Sequence, residues 1–210
     1  MIHIQSFTFS PFQENTYVVY TDSGDCMIVD PGCYDAAEEN ILSTFISDKN
    51  LNPVLLVNTH CHIDHVFGNK YVAEKYGLTP IIHPIEQSML AAVSRVAEMY
   101  GVNYTPSPEP EILDSDTLEL GGEIFEILFV PGHSPGHIAL YHSGSNSLIV
   151  GDVLFRQSIG RTDLPGGDMD TLLNSIRTEL FVLPDETKVY PGHMEPTTIG
   201  FEKKHNPFLK

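Results

Sequence analysis

The chain has 210 residues, of which 41% are hydrophobic and 19% are charged, so it is long enough for a substantial buried core and has the composition of a globular protein. Its formal net charge of −17 repels a polyphosphate backbone, which argues against nucleic acid as a partner. No apolar run reaches the roughly 18 residues that a membrane span needs, and the three cysteines have no framework spacing. Neither a membrane protein nor a disulfide scaffold is therefore expected.

The amino-terminal residues lack the pattern of a secretory signal, which is a basic region followed by an apolar block and a small-residue cleavage site. We therefore expect a cytoplasmic protein. No obvious repeat or low-complexity tract divides the chain, and the proline-containing loop over residues 103–110 is interpreted as a connector. We predict a single domain over residues 1–210.

The first elements in chain order are predicted from apolar alternation. They form an antiparallel start with strands at residues 3–9, 16–20 and 27–29. Ser23 and Gly24 predict a turn, and Asp30-Pro31-Gly32 ends the third strand. Helices are predicted at residues 36–46, 69–76, 86–100 and 169–181.

Four further apolar segments share one feature, which is that each predicted strand delivers a His or an Asp at its carboxyl end. These segments are residues 54–57, 124–130, 148–150 and 188–190. The side chains that follow them are His60, His133, Asp152 and His193. Strand ends along one edge of an α/β fold are where such folds place their sites. The sequence therefore predicts an α/β protein with a site at this edge.

His60, His62, Asp64 and His65 place four candidate metal ligands within six residues. Histidine and carboxylate ligands suit zinc, and they also suit iron or manganese. In an extended loop the first two histidines point the same way and can chelate one ion. Asp64 and His65, where the chain turns toward a helix, can reach a second ion. The ligands that would complete both coordination spheres are His133, Asp152 and His193.

A polar loop whose histidines bond to backbone groups is the alternative, but it does not explain why five of the ten histidines lie in this run or at strand ends after Pro-Gly. Alternation points Cys61 away from the metals, so we interpret it as a packing residue. His137 either supports the site or packs near it. Arg161 is a candidate anchor for an anionic substrate group, because a guanidinium binds carboxylate bidentately. The alternative for Arg161 is an ion pair with Asp163 or Asp168.

The sequence resembles the metallo-β-lactamase superfamily over essentially its whole length. The signature of that superfamily is His-x-His-x-Asp-His, here residues 60–65, followed by separate His, Asp and His ligands. Finer features are similar to the short, glyoxalase II-like thioesterases of bacteria. The segments that carry this second resemblance are residues 12–16, 131–137, 151–155, 158–168 and 205–209.

The resemblance implies a four-layer αβ/βα sandwich with two divalent metal ions, zinc first and iron or manganese as alternatives. It assigns His60, His62 and His133 to one metal, Asp64, His65 and His193 to the other, and Asp152 as the bridge. It also implies hydrolysis of a small-molecule thioester, such as a hydroxyacylglutathione or a similar S-acyl thiol, by a metal-bridging hydroxide. Asp64 and Asp152 are the catalytic candidates, because their unligated oxygens could orient this nucleophile.

Other activities are weighed by residue. Many β-lactamases of the superfamily have a different residue where His65 stands and a cysteine where Asp152 stands, so antibiotic hydrolysis is not expected as the main role. A mononuclear iron persulfide dioxygenase, which has a similar Gly-Arg-Thr-Asp element, stays an alternative, as does a non-catalytic metal-binding domain. Full-length glyoxalase II enzymes bind glutathione through a C-terminal helical extension, whereas only residues 194–210 follow His193. The thiol carrier and the oligomeric state are left open.

Overall fold

The computed structural model describes all 210 residues, Met1–Lys210, whose contacts form two compact units. Unit 1 comprises Met1–Asp114 and Glu119–Glu123, and unit 2 comprises Ser115–Leu118 and Ile124–Lys210. Each unit has its own hydrophobic core and is built around one mixed β-sheet. The expectation of one domain over residues 1–210 stays a prediction.

The sheet of unit 1 has six strands that lie side by side in the order of the sequence. They are β1 (Ile2–Phe9), β2 (Glu14–Thr21), β3 (Asp25–Val29), β4 (Asn52–Val57), β5 (Pro80–Ile82) and β6 (Glu111–Ile112). Strands β1 to β3 pair antiparallel, which confirms the predicted antiparallel start, and the pairings from β3 to β6 are parallel. The carboxyl ends of β3 and β4 therefore meet at the same edge of this sheet.

Three helices complete unit 1. They are α1 (Ala36–Asp48), α2 (Asn69–Tyr76) and α3 (Gln87–Tyr100). Helix α1 begins at Asp35, whose carboxylate accepts hydrogen bonds from the first free backbone N–H groups of the helix. Leu42 and Ile46 of α1 and Val72 of α2 pack against the sheet, and Val93 and Ala97 bury α3 in a second cluster. All three predicted helices are confirmed, and α3 begins one residue late because Pro84–Glu86 forms a 3-10 turn.

The second sheet has six strands and belongs to unit 2. The exception is residues 119–123, around the turn between its first two strands, which are assigned to unit 1. In chain order they are β7 (Thr117–Leu120), β8 (Glu123–Phe129), β9 (Ile138–His142), β10 (Ser147–Gly151), β13 (Lys188–Pro191) and β14 (Thr197–Thr198), with a separate hairpin of β11 (Leu154–Phe155) and β12 (Ser158–Ile159). Strand β9 pairs antiparallel with both β8 and β10, and β10 pairs parallel with β13. Strands β8, β10 and β13 therefore run in one direction and end at one edge.

Two helices pack in unit 2, namely α4 (Met169–Ser175) and α5 (Ile199–His205). Helix α4 continues into a π-helical turn over Ile176–Leu180, where the Phe181 N–H donates to the Ile176 carbonyl, so the helix predicted at residues 169–181 changes its hydrogen-bonding register near its end. Leu172 and Leu180 fill the core of unit 2. The α/β class with mixed sheets is confirmed, and none of the helices combines the length and apolar character needed to cross a bilayer.

Candidate metal centre

The residues of the predicted metal motif lie in the turn between β4 and α2, where Ile63–His65 forms one 3-10 turn. His60 and His65 are fully buried, and His62 is half-buried. The ring centroids of His60 and His62 are 4.7 Å apart, and those of His60 and His65 are 4.1 Å apart. Oδ2 of Asp64 lies 3.9 Å from Nε2 of His65. This short turn brings together all four predicted ligands of unit 1.

Asp30, at the end of β3, orients His65. Its carboxylate accepts hydrogen bonds from the N–H (2.7 Å) and hydroxyl (2.6 Å) of Thr59, and its Oδ2 lies 3.0 Å from Nδ1 of His65. A carboxylate on one ring nitrogen fixes the tautomer, so that Nε2 carries the lone pair that a metal needs. The ligand atoms of Asp30, His60 and His65 lie within 4.8 Å of one another. Because the Asp30 carboxylate already holds Thr59 and His65, we interpret it as the partner of a ligand.

A second buried carboxylate, Glu14 on β2, also lies close to His65. Its Oε1 is 4.0 Å from Nδ1 of His65, and its Oε2 accepts a hydrogen bond from the Thr16 hydroxyl at 2.9 Å. Burial raises the pKa of the Glu14 carboxyl well above its usual value, and the positive charge that His65 can carry opposes that shift. Glu14 lies within the resembling segment at residues 12–16, but no role for it follows from the sequence.

The backbone of the motif is held by Glu86, whose carboxylate accepts a hydrogen bond from the Cys61 N–H at 2.8 Å. The Cys61 side chain is buried in a cluster with Ile63, Val66 and Val93. It therefore packs in the core of unit 1, as the alternation of the loop predicts.

In unit 2 the three remaining predicted ligands follow strands that end at one edge. His133 follows β8, Asp152 follows β10 and His193 follows β13. Oδ2 of Asp152 lies 3.5 Å from Nε2 of His133 and 3.5 Å from Nε2 of His193. Two imidazoles thus present the same ring nitrogen to one carboxylate oxygen, as the ligands of a metal centre do.

Backbone groups fix His133 and Asp152 in this arrangement. Nδ1 of His133 lies 2.7 Å from the carbonyl oxygen of Arg161, and only a ring N–H can donate there, so Nε2 carries the lone pair. The N–H of Asp152 donates to Nε2 of His137 at 3.1 Å, and Nδ1 of His137 donates to the Ile138 carbonyl at 3.0 Å. Of the two roles left open for His137, these contacts favour support of the site.

Gly160 permits the close approach of this backbone. A Cβ atom at Gly160 would lie 1.9 Å from the carbonyl oxygen of Asp152 and 3.1 Å from Nδ1 of His133. Any other residue would force these groups apart, so glycine is required at this position.

The guanidinium of Arg161 is engaged by Asp163, which accepts two hydrogen bonds of 2.7 Å from it. These bonds lower the pKa of the Asp163 carboxyl to about 2. The ion pair weighed as an alternative is therefore formed with Asp163, whereas Asp168 caps helix α4. The two side chains are 58% and 67% exposed, so the pair contributes little to stability. Anchoring of substrate by Arg161 stays a prediction.

The donor set in each unit fits a divalent metal ion. Three of the candidate histidines have Nδ1 within hydrogen-bond distance of a neighbouring oxygen: His60 near the Thr59 hydroxyl, His65 near Asp30 and His133 near Arg161. Each can therefore ligate through Nε2, and carboxylates stand beside them. Imidazole with carboxylate is a ligand set for zinc, and it also suits iron and manganese.

Comparison with known proteins gives a match over most of the chain. Residues 9–193 match the family model of the metallo-beta-lactamase superfamily. YqgX of Bacillus subtilis, described as a probable metallo-hydrolase, is 38% identical over 202 residues, which cover 95% of this chain and 93% of that protein. Hydroxyacylglutathione hydrolase GloC of Haemophilus influenzae is 34% identical over 212 residues, which cover 99% of this chain and 98% of that protein.

Two solved structures are similar over the same extent. The crystal structure of BLEG-1, described as a B3 metallo-beta-lactamase, has a TM-score of 0.91 and 35% identity, and the match covers 99% of this chain and 100% of that one. The crystal structure of TTHA1623 in a di-iron-bound form has a TM-score of 0.88 and 36% identity, and the match covers 98% of this chain and 100% of that one.

Proposed function

Because the chain belongs to the metallo-β-lactamase superfamily and has its fold, we propose that this metallohydrolase cleaves a small-molecule thioester. The observation that carries the proposal is the position of Asp152, whose Oδ2 is equidistant from Nε2 of His133 and of His193. The name of the relative GloC supports a hydroxyacylglutathione or a similar S-acyl thiol as the substrate. The net charge of −17 supports a small-molecule partner over nucleic acid.

We assign two divalent ions to the residues predicted from the sequence. His60, His62 and His133 would hold one ion, Asp64, His65 and His193 would hold the other, and Asp152 would serve both. Such ions, when bound, lower the pKa of a coordinated water and polarise a carbonyl group. Zinc is the first candidate, iron is supported by the di-iron-bound structure that is 36% identical, and manganese is the third candidate.

The remaining steps fall to residues of the chain. Asp64 and Asp152 would accept a hydrogen bond from the attacking water and so orient it toward the carbonyl carbon. Asp30 and the Arg161 carbonyl keep His65 and His133 in the ligating tautomer. A thiolate leaves readily because the pKa of a thiol is about 8.5, far below that of an alcohol, so the site needs no separate general acid.

The test of this proposal is a panel of acyl-thioesters, β-lactams, lactones and persulfides, assayed with zinc-, iron- and manganese-loaded protein. We expect at least one thioester to be hydrolysed faster than every other class. Failure to cleave any thioester above the metal-free background would refute the proposal. One iron per chain with oxygen consumption on a persulfide would indicate a dioxygenase. Cleavage of a β-lactam faster than of any thioester would indicate a β-lactamase, the activity for which BLEG-1 is named. Metal binding without any hydrolysis would indicate a binding domain.

Removal of the metals gives a prediction that does not depend on the substrate. Zinc at a hundredfold excess over its dissociation constant stabilises a protein by about 2.7 kcal/mol, which for a chain of this length raises Tm by roughly 5–10 °C. We expect a chelator to reverse this rise and to abolish hydrolysis together, and re-added metal to restore both. Differential scanning calorimetry measures the shift. An unchanged Tm with each of the three metals would contradict the assigned ligand set.

Arg161 is proposed as the anchor of an anionic substrate group, and its variants test that role. We expect Arg161→Ala to raise KM about tenfold for a thioester with a free carboxylate and to leave KM for an uncharged thioester unchanged, because a bidentate contact is worth about 1.5–3 kcal/mol. The matched variant Asp163→Asn weakens the ion pair and is expected to lower KM for the anionic thioester. Equal effects of Arg161→Ala on both substrates would show that the side chain serves only the ion pair.

A further inference from the structure

We propose that Glu202, a buried carboxylate on α5, is a positioning residue for the metal ligand His133. This inference rests on the proposed metal centre, because His133 is assigned there as a ligand. Glu202 acts through the β11–β12 hairpin, which lies in the chain between Asp152 and Arg161. All of the contacts that carry the proposal lie within unit 2.

Glu202 is fully buried, and hydrogen bonds surround its carboxylate. Oε2 accepts one from the backbone N–H of Gln157 and one from Nδ2 of Asn206, each at 2.9 Å, and Oε1 accepts one from the Thr197 hydroxyl. A buried carboxylate is costly unless such bonds replace water. Apolar residues fill buried positions at lower cost, so a carboxylate here calls for a role in holding specific donors.

One of the donors that Glu202 holds, the Gln157 N–H, belongs to the turn of the hairpin. Gln157 has a φ of 56°, a left-handed conformation that is unfavourable for a residue with a Cβ atom. The Glu202 carboxylate holds its N–H in that conformation. Asn206, which is itself buried, donates from Nδ2 to the Ser158 carbonyl at 2.9 Å as well. Glu202 on α5 therefore binds the hairpin turn, and Asn206, which follows the helix, binds the start of β12.

From the hairpin the chain runs directly to His133. Strand β12 leads into Gly160, whose N–H donates to the Val153 carbonyl at 3.3 Å, and then into Arg161, whose carbonyl holds Nδ1 of His133. There is no free space between the backbones of Gly160 and Asp152, because a Cβ atom at Gly160 would overlap the Asp152 carbonyl. Tightly packed backbone transmits a displacement rather than absorbing it. A shift of the hairpin therefore moves the carbonyl that sets the orientation of the His133 ring.

Helix α5 has a second anchor that provides a matched control. The Thr198 hydroxyl accepts a hydrogen bond from the Phe201 N–H and caps the helix, without contacting the hairpin through any hydrogen bond of its side chain. Loss of such a cap destabilises a helix. Thr198→Ala therefore weakens the same helix while Glu202 keeps its hold on Gln157 and Asn206.

The experiment measures zinc affinity by competition with a chromophoric chelator, at a temperature where every variant is folded. We expect Glu202→Ala to weaken zinc binding at least tenfold, as loss of a residue that orients a ligand does elsewhere. We expect Thr198→Ala to stay within about twofold of the parent. Glu202→Gln should restore most of the affinity, because its amide oxygen can still accept from Gln157 and Asn206 while its amide N–H faces Thr197.

A second readout needs no metal. In the metal-free protein we expect the Nδ1–H of His133 to give an exchange-protected NMR signal that Thr198→Ala retains and Glu202→Ala loses. If Glu202→Ala does not fold, Asn206→Ala replaces it, and a smaller change in the same direction is expected. An unchanged signal and affinity in the Glu202 or Asn206 variant, or an equal loss in Thr198→Ala, would overturn the proposal. A parent protein that binds none of zinc, iron and manganese but shows the NMR pattern would refute the metal centre and leave the positioning role intact.

Discussion

Replacing Asp152 with alanine is expected to lower kcat/KM for thioester hydrolysis by at least about a thousandfold, a loss of about 4 kcal/mol of transition-state stabilisation. The reason is that its Oδ2 lies 3.5 Å from Nε2 of both His133 and His193. Without the carboxylate, the imidazoles of His133 and His193 lose the anionic group that lies between them. The same change removes the group proposed to orient the attacking water, so binding of metal and chemistry should fail together.

Metal content and kinetics measured on the same samples check this prediction. We expect Asp152→Ala to lose at least one metal per chain. Asp152→Asn, which keeps the size of the side chain and one carbonyl oxygen, should retain more metal than alanine does but little activity, because a neutral amide ligates weakly. Glu186→Ala, which removes an exposed carboxylate from the same unit, serves as the control and should stay within about twofold of the parent. Full activity in Asp152→Ala would exclude the proposed bridge.

The positions of the candidate ligands in a turn and at strand ends could be predicted, because each position depends on short-range information. His60 to His65 are adjacent in the sequence, and a 3-10 turn suffices to gather them. Asp152 and His193 each follow a short apolar strand, and parallel strands end at one edge whatever their length. The helices were predicted for the same reason, since their period and caps are local.

The partners of the ligands could not be predicted, because they depend on which distant segments meet. Asp30 reaches His65 across 35 residues of chain, and Glu202 reaches Gln157 across 45 residues. Only the register of the sheet and the packing of α5 create these contacts. A signal for Asp30 was nevertheless present, because it is an acidic residue directly after a buried strand, which is the rule that singled out Asp152.

Most of the strands that were not predicted are short. Strands β6, β11, β12 and β14 have two residues each, which is too short to show an alternation. Strand β9, with all five residues buried, shows no alternation either. The hairpin of β11 and β12 nevertheless sets the path of the backbone from Asp152 to Arg161. The precision of the candidate site thus depends on elements that local patterns do not reveal.

Gly132→Ala is expected to destabilise the protein strongly, although it adds only one methyl group beside the candidate ligand His133. Gly132 precedes His133 and has a φ of 131°, which residues with a Cβ atom rarely adopt. A Cβ atom there would lie 2.3 Å from the backbone nitrogen of Leu172 and 2.4 Å from its Cα. Leu172 is fully buried on α4, and the Gly132 carbonyl accepts a hydrogen bond from Asp168 at the start of that helix. Neither the turn at Gly132 nor helix α4 can therefore move to relieve the contact without a loss of stability.

Left-handed strain of roughly 1–2 kcal/mol and overpacking of roughly 1–3 kcal/mol add to about 3 kcal/mol, which lowers Tm by roughly 6–12 °C in a chain of this length. Thermal unfolding measures this loss. Gly77→Ala is the matched control, because Gly77 has a φ of 70° but no atom within 4 Å of the added Cβ, so it should lose only the strain component.

The clash at Gly132 also has a functional consequence. Relief of the contact by a shift of residues 131–133 moves His133 away from Asp152, so metal affinity should fall in Gly132→Ala and stay unchanged in Gly77→Ala. Equal Tm shifts in the two variants would mean that the turn before His133 is loose, and a loose turn could not hold a metal ligand in place.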